Sequence, residues 1–305
     1  MQSAARTLIA LSLAGCWALG CGGTVSDGHE VDGTGGWAGG AGGAAQDASP
    51  AETGGAGGSA GHAGTAGACS GCDPILEQCW NKERCVAKLV PIPGGYSIDA
   101  TEVTRSQYQA WLDSKPSTSG QPSYCGWNAT FEPETVCMMA SFVCHGEACG
   151  KHPQVCVDWC DAYAYCAASG KRLCGKIGGG PAGFYDTADP AVSQRYNACT
   201  SGGKHVYPYG DTYDEKACNG AEQQLFMTVE VASMSGCAAS GAYGGVYDLT
   251  GNVAEHEDAC EGQTGASDSC RFQGGDFECP ATCDFPASAS RQHLIHYIGL
   301  RCCAP

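Results

Sequence analysis

Apolar positions along this chain fall into few periodic runs, and the two clearest are helical. Trp159, Ala162, Tyr163, Cys166 and Ala167 repeat at i, i+3, i+4, i+7 and i+8, the spacing of one helical face. Asp158 stands where an N-cap belongs and Gly170 where a C-cap belongs, so a helix is expected between them. Tyr96 to Thr104 reads as a strand leading into a second helix, with Thr104 and Gln107 at capping-box spacing and Tyr108, Trp111 and Leu112 on one face. Pro91-Ile92-Pro93-Gly94-Gly95 before it is a turn region. Elsewhere the 46 glycines and the short apolar runs imply short strands and long loops. The expected class is α+β, irregular and loop-rich.

The first residues follow a different pattern. Arg6 precedes the apolar run Thr7 to Leu13, long enough for a signal sequence and too short to span a bilayer. It ends in Leu13-Ala14-Gly15-Cys16, which looks like a bacterial lipobox with Cys16 as the acylated residue; Ala18-Leu19-Gly20-Cys21 is a poorer match. Residues 1–21 are thus expected to be a signal and lipobox. Residues 22–68 contain 17 Gly and 11 Ala among 47 positions. Such a segment buries too little apolar surface to offset its chain entropy and is expected to act as a disordered tether, roughly 35–40 Å r.m.s. long.

Charge and cysteine content narrow the function classes. The 305 residues carry a formal charge of −16 without a basic cluster, which argues against nucleic acid and anionic membrane surfaces as partners. Twenty-three cysteines imply an oxidising compartment and a disulfide framework. Cys69, Cys72, Cys79 and Cys85 could bind zinc as four thiolates, but in an exported chain two local disulfides are favoured. Residues 69–89 are therefore expected to form a Cys-rich mini-module ahead of a main domain, 90–305. His293 and His296 lack a third ligand at sensible spacing, and Gly178-Gly179-Gly180 lacks the Lys-Ser/Thr of a phosphate loop.

Several segments share one resemblance. Glu102-Val103-Thr104 precedes the first helix. His152-Pro153, Val157-Asp158-Trp159 and Gly170-Lys171-Arg172-Leu173 surround the second. Tyr207-Pro208-Tyr209-Gly210-Asp211 follows, then Gly245 to His256, Gly274-Gly275 and Gly299-Leu300-Arg301-Cys302. In this order they resemble the formylglycine-generating enzyme family, the sulfatase-modifying-factor domain, from about residue 91 to the end. The resemblance implies a C-type-lectin-like fold and a candidate chemistry, copper-dependent oxidation of a substrate cysteine.

It also implies sites. Family calcium ligands carry over to Asp248, the carbonyls of Gly251 and Val253, and Glu255, an oxygen set suited to a hard cation. A second calcium site has only Asn219 to represent it. Copper(I) is held in the family by two cysteines, as soft thiolates suit it. Cys279 falls at the first position, but the next cysteine, Cys283, follows after four residues rather than five. Cys283 matches instead a structural cysteine nineteen residues before Cys302. Gln273 and Asp276 replace the family's Arg and Ser, and Ala254-Glu255-His256 replaces Trp-Glu-Trp. Family disulfides carry over as Cys166–Cys302 and Cys199–Cys283. Spacing suggests Cys218–Cys237, Cys260–Cys270 and Cys174–Cys303, and leaves the six cysteines from Cys125 to Cys160 unresolved. Cys279 is then either an orphan, reactive thiol or a disulfide partner, with Cys21 as one candidate.

The expectation is an exported lipoprotein, periplasmic or at the cell surface, monomeric and membrane-anchored through its lipid. It has lost the copper pair and acts as a binding or structural module for a protein or carbohydrate ligand. The alternative is an oxidoreductase that forms formylglycine, or otherwise oxidises a protein thiol, through Cys279.

Overall fold

A computed structural model of the chain describes residues 69–305. The signal-like run, Cys16, Cys21 and the Gly/Ala-rich segment lie outside the described residues. The fold opens with an antiparallel hairpin, β1 (Glu77–Trp80) and β2 (Arg84–Ala87). Disulfides Cys69–Cys79 and Cys72–Cys85 close it. Cys72, Glu77 and Cys85 bring their ligand atoms together, but both sulfurs are bonded to each other, so no thiolate is available to zinc. The hairpin docks on the main body. Gln107 Nε2 donates to Glu77, Lys171 Nζ donates to Ala87 O, and Trp80 lies over Gly170. A Cβ at Gly170 would come within 1.9 Å of the Trp80 ring, and its φ of +66° also favours glycine.

Two four-stranded sheets make the body. The first has the order β3 (Leu89–Ile92), β4 (Tyr96–Asp99), β10 (Cys302–Ala304), β5 (Arg172–Leu173), all antiparallel. The second has the order β8 (Pro286–Ser290), β7 (Ser269–Gln273), β6 (Ala254–Cys260), β9 (Ile298–Leu300), with β6 and β9 parallel. The chain passes from the second sheet to the first through one residue, Arg301.

The helices are α1 (Arg105–Leu112), the short α2 (Thr135–Met138), α3 (Trp159–Ala168) and α4 (Gln194–Cys199). Thr104 and Gln107 form a reciprocal capping box at α1, and Asp158 and Asp161 form another at α3. Each satisfies two backbone N–H groups that a helix start leaves without partners. The apolar faces of α1 and α3 meet in an aromatic cluster of Tyr108, Trp111, Tyr165 and Phe131. The Tyr108 hydroxyl donates to Phe131 O at 2.8 Å, which satisfies a polar group in an otherwise apolar core.

Disulfides hold the loops between these elements. Cys125–Cys160, Cys137–Cys156 and Cys144–Cys149 are nested one inside the next. Cys166–Cys302 and Cys174–Cys303 fasten α3 and the residue after β5 to the last strand, closing loops of 136 and 129 residues. In the chain-entropy picture each such loop is stabilised by about 4–5 kcal/mol. Cys199–Cys283, Cys218–Cys237 and Cys260–Cys270 complete the ten. A framework this dense belongs to an oxidising compartment and an exported chain. Among the described residues no helix is long and apolar enough to cross a membrane.

Buried charge runs through the middle. β6 carries Glu255 and Glu257 on one face, both almost fully buried. Glu257 pairs with Arg271 and accepts from Ser193 Oγ. Glu255 binds Arg195 Nε through Oε2 and Arg301 Nε through Oε1, both at 2.8 Å. Arg301 also donates to Asp99 O and Tyr247 O at 2.8 Å and to Asp248 O at 3.2 Å. Removing one member of such a buried network strands the others. Arg301→Met should therefore cost about 3–5 kcal/mol, measured by guanidinium unfolding with the disulfides intact. A loss below 1 kcal/mol would show that the network contributes little.

Candidate functional site

The residues that resemble a copper site follow β7. Gly274 and Gly275 turn the chain with φ of +110° and +65°. A Cβ at Gly275 would lie 2.1 Å from Pro280 O, so the tight turn requires glycine. Beyond the turn, Cys279 donates its N–H to Asp276 O and accepts from Ala221 N–H. Its side chain is buried and disulfide-bonded. This corrects the orphan-thiol expectation for Cys279. The other twenty described cysteines pair among themselves. Cys283 is bonded to Cys199 on α4. Neither sulfur can act as a thiolate, and these residues do not fit copper(I).

Several titratable groups surround this position. Asp276 is 2% exposed, and burial pushes its carboxyl up to about 7, against the pull of N–H donors from Glu278 and Cys279. His296 lies 3.7 Å from Glu278 and stacks on Phe142 with centroids 5.2 Å apart. His256 is buried where the family has tryptophan. Desolvation pulls its imidazole down to about 4, so it is neutral at physiological pH.

The calcium-like turn is built differently from what its sequence implies. Asp248 adopts φ of +55° and accepts from Ala232 N–H at 2.6 Å. Both Glu255 oxygens are held by Arg195 and Arg301. Gly251 N–H donates to Gly274 O, and Val253 N–H donates to Glu102 at 3.2 Å. A cation held by Asp248, the carbonyls of Gly251 and Val253, and Glu255 would have to compete with Arg195 and Arg301 for the Glu255 carboxylate. Asn219 donates from Nδ2 to Met227 O and Asn252 Oδ1, while its Oδ1 is buried without a hydrogen-bond partner. Glu102, absent from the sequence-level set, completes the cluster. Burial first, then the nearby Asp248 and Glu255 charges, push its carboxyl well above the usual range.

Among the clefts of the described residues, two lie beside α1 and α3. The larger, about 640 Å³, lies between the hairpin and α1, with Asp73, Glu77, Gln107, Lys151 and Glu230 on its walls and no aromatic ring. The other, about 330 Å³, lies between α3 and the end of β6 and is lined by Tyr124, Trp159, Tyr163, Phe184, Arg172 and Asp258. Its rings are held in place. Trp159 and Tyr163 stack at 5.1 Å, and the Arg291 guanidinium sits 4.4 Å from the Tyr124 centroid and 4.6 Å from that of Trp159. Arg291 is itself fixed by Asp268 and Gly262 O. Burial pushes the Asp258 carboxyl up to about 6, against Arg172 and Arg291. Sequence reasoning placed Tyr163 on the apolar face of α3 and passed over Asp258. Tyr124 and Phe184 sit in loops without any periodic signal.

The sulfatase-modifying factor enzyme 1-like domain family matches residues 72–304. The chain belongs to that family, and the match takes in the β1–β2 hairpin. No curated protein matches at a significant level. Among solved structures, PvdO from Pseudomonas aeruginosa is similar at 18% identity and TM-score 0.46, covering 70% of this chain and 82% of the other. CarF is similar at 22% identity and TM-score 0.46, covering 69% and 86%. Treponema denticola variable protein 1 is similar at 17% identity and TM-score 0.42, covering 72% and 86%.

The raised Asp276 carboxyl makes a signed prediction. Between pH 4 and 7 the folded form holds a proton there that the unfolded form releases, so this group's contribution to stability falls as pH rises. Asp276→Asn should be close to wild type near pH 4 and more stable at pH 8, by up to about 4 kcal/mol. Denaturant unfolding at both pH values checks it, and an unchanged difference between them would refute the assignment.

Proposed function

We propose that this chain is a non-oxidising binding member of its family, membrane-anchored through Cys16, with the aromatic groove as its ligand site. The observation that carries the first part is the Cys199–Cys283 disulfide. It removes the only cysteine near enough in sequence to serve as a second copper ligand beside Cys279.

The ligand class follows from the groove. Flat rings of Tyr124, Tyr163 and Phe184 line it, with a carboxylate from Asp258 and a guanidinium from Arg172. Aromatic faces pack against the C–H faces of sugar rings, and paired charged groups orient hydroxyls by donating and accepting hydrogen bonds. A saccharide uses all of these features. Arg172 already donates to Lys176 O at 2.8 Å, so the group an apolar ligand would leave poorly served is the Asp258 carboxylate.

Two experiments test the proposal. Incubation with copper(I) and a Cys-x-Pro-x-Arg peptide should yield no aldehyde by mass spectrometry; aldehyde formation would reinstate the oxidase. A glycan array followed by titration calorimetry should find a saccharide whose affinity falls at least tenfold in Tyr163→Ala and in Asp258→Asn, with the circular dichroism spectrum unchanged. Failure of every glycan to bind, or equal binding by both variants, would overturn the assignment of this groove.

A further inference from the structure

The loop that follows α4 gathers three tyrosines, none of which belongs to the aromatic groove. Tyr207-Pro208-Tyr209-Gly210 is a tight turn in which Tyr207 and Gly210 exchange both backbone hydrogen bonds, at 2.9 and 3.2 Å. The Pro208 carbonyl accepts from Ser240 N–H at 3.0 Å, which ties the turn to the body. The Tyr207 ring lies nearly parallel to Tyr209 with centroids 5.4 Å apart, and meets Tyr213 at a tilt of 46° and the same 5.4 Å. Tyr209 packs on the cluster around the Cys218–Cys237 disulfide, and its hydroxyl accepts from Asp214 N–H at 3.4 Å. The rings are therefore held from behind, while Tyr213 stays 40% exposed.

An open cavity of about 570 Å³ lies in front of them, lined by Tyr209, Thr212, Tyr213, Asp214 and Glu215. Glu222 sets its carboxylate against the Tyr213 hydroxyl. Residues 205–222 carry four carboxylates and one lysine, so the field over the rings is negative. Asp214, Glu215 and Glu222 do not bring three oxygens close enough together to coordinate a metal ion. Aromatic faces and scattered carboxylates suit instead a large cation whose charge is spread over its surface. We propose that this cavity binds a quaternary ammonium group, its methyls against the Tyr209 and Tyr213 rings and its charge offset by Asp214, Glu215 and Glu222.

The chemistry of the walls favours that class over its rivals. A quaternary nitrogen has no N–H to satisfy, so ring faces and a nearby negative field are enough to hold it. A primary ammonium is compact and strongly hydrated, and it would exchange that water for exposed carboxylates that return little. An anion would meet like charge, and a neutral sugar would leave the field unused. Glu222 also acts through the ring. Burial first, then the Glu222 carboxylate, pushes the Tyr213 hydroxyl up, and a phenol that donates to a carboxylate carries more negative charge on its face.

Calorimetric titration of the full chain with choline chloride at constant ionic strength tests the site. Choline should bind saturably and at least about fivefold tighter than 3,3-dimethylbutan-1-ol, its uncharged isostere. Tyr213→Leu should weaken choline by about fivefold or more, while Tyr213→Phe keeps the ring and stays within about threefold of wild type. Glu222→Gln should weaken it by about twofold to threefold. No saturable choline binding, equal binding of the isostere, or wild-type affinity in Tyr213→Leu with an unchanged circular dichroism spectrum would each overturn the proposal. Glycerophosphocholine separates two sources of the same group. Binding weaker than choline, as the negative field predicts, points to a free cation, and binding as tight or tighter points to a lipid headgroup; both support a quaternary ammonium site.

Discussion

The structure depends on one buried guanidinium. Arg301 is the residue at which the chain leaves one sheet and enters the other, and its side chain binds both. It reaches Glu255 on β6, the carbonyl at the end of β4, and the carbonyls of Tyr247 and Asp248 in the turn before β6. A lysine could not replace it, because a single ammonium cannot address four acceptors spread over a plane. Glu255 is shared with Arg195, whose second nitrogen holds Leu249 O. The turn from Asp248 to Val253 is therefore shaped by two arginines. That explains why a loop whose residue types suit a cation is occupied by protein charge.

Disulfides do the complementary work. The apolar core is divided into several clusters under long loops, and none contains a long sheet or helix to anchor the whole. Cross-links restrict the unfolded chain where packing alone would leave the folded one marginal. Once Cys283 is bound to Cys199 and Cys279 is bonded as well, sulfur that could hold copper has become scaffold. The groove beside α3 keeps the features a ligand site needs: fixed rings, a carboxylate of raised proton affinity and an open mouth.

Much of the fold was legible in the chain. Capping residues and helical periodicity located α1 and α3, because both signals act over four or five neighbouring residues and survive without tertiary context. The ordered motifs from Glu102 to Arg301 identified the family and with it the loop-rich α+β class. The three nested disulfides between Cys125 and Cys160 were not readable, since six cysteines in one loop allow fifteen pairings and spacing does not choose among them. The groove was equally hidden. Tyr124, Phe184 and Asp258 come from three separate loops and strands, and only folding brings them together.

The amino-acid sequence alone determined which residues cap helices, which compartment the cysteines require and which family the motifs serve, because each rests on local geometry or on composition. Tertiary structure decided what the reactive groups do. Glu255 reads as a cation ligand until Arg195 and Arg301, distant in the chain, close on its two oxygens. Cys279 reads as a thiol until the folded chain shows its sulfur bonded. Charge pairing and sulfur bonding join residues far apart in sequence, and their outcome exists only once the chain has packed.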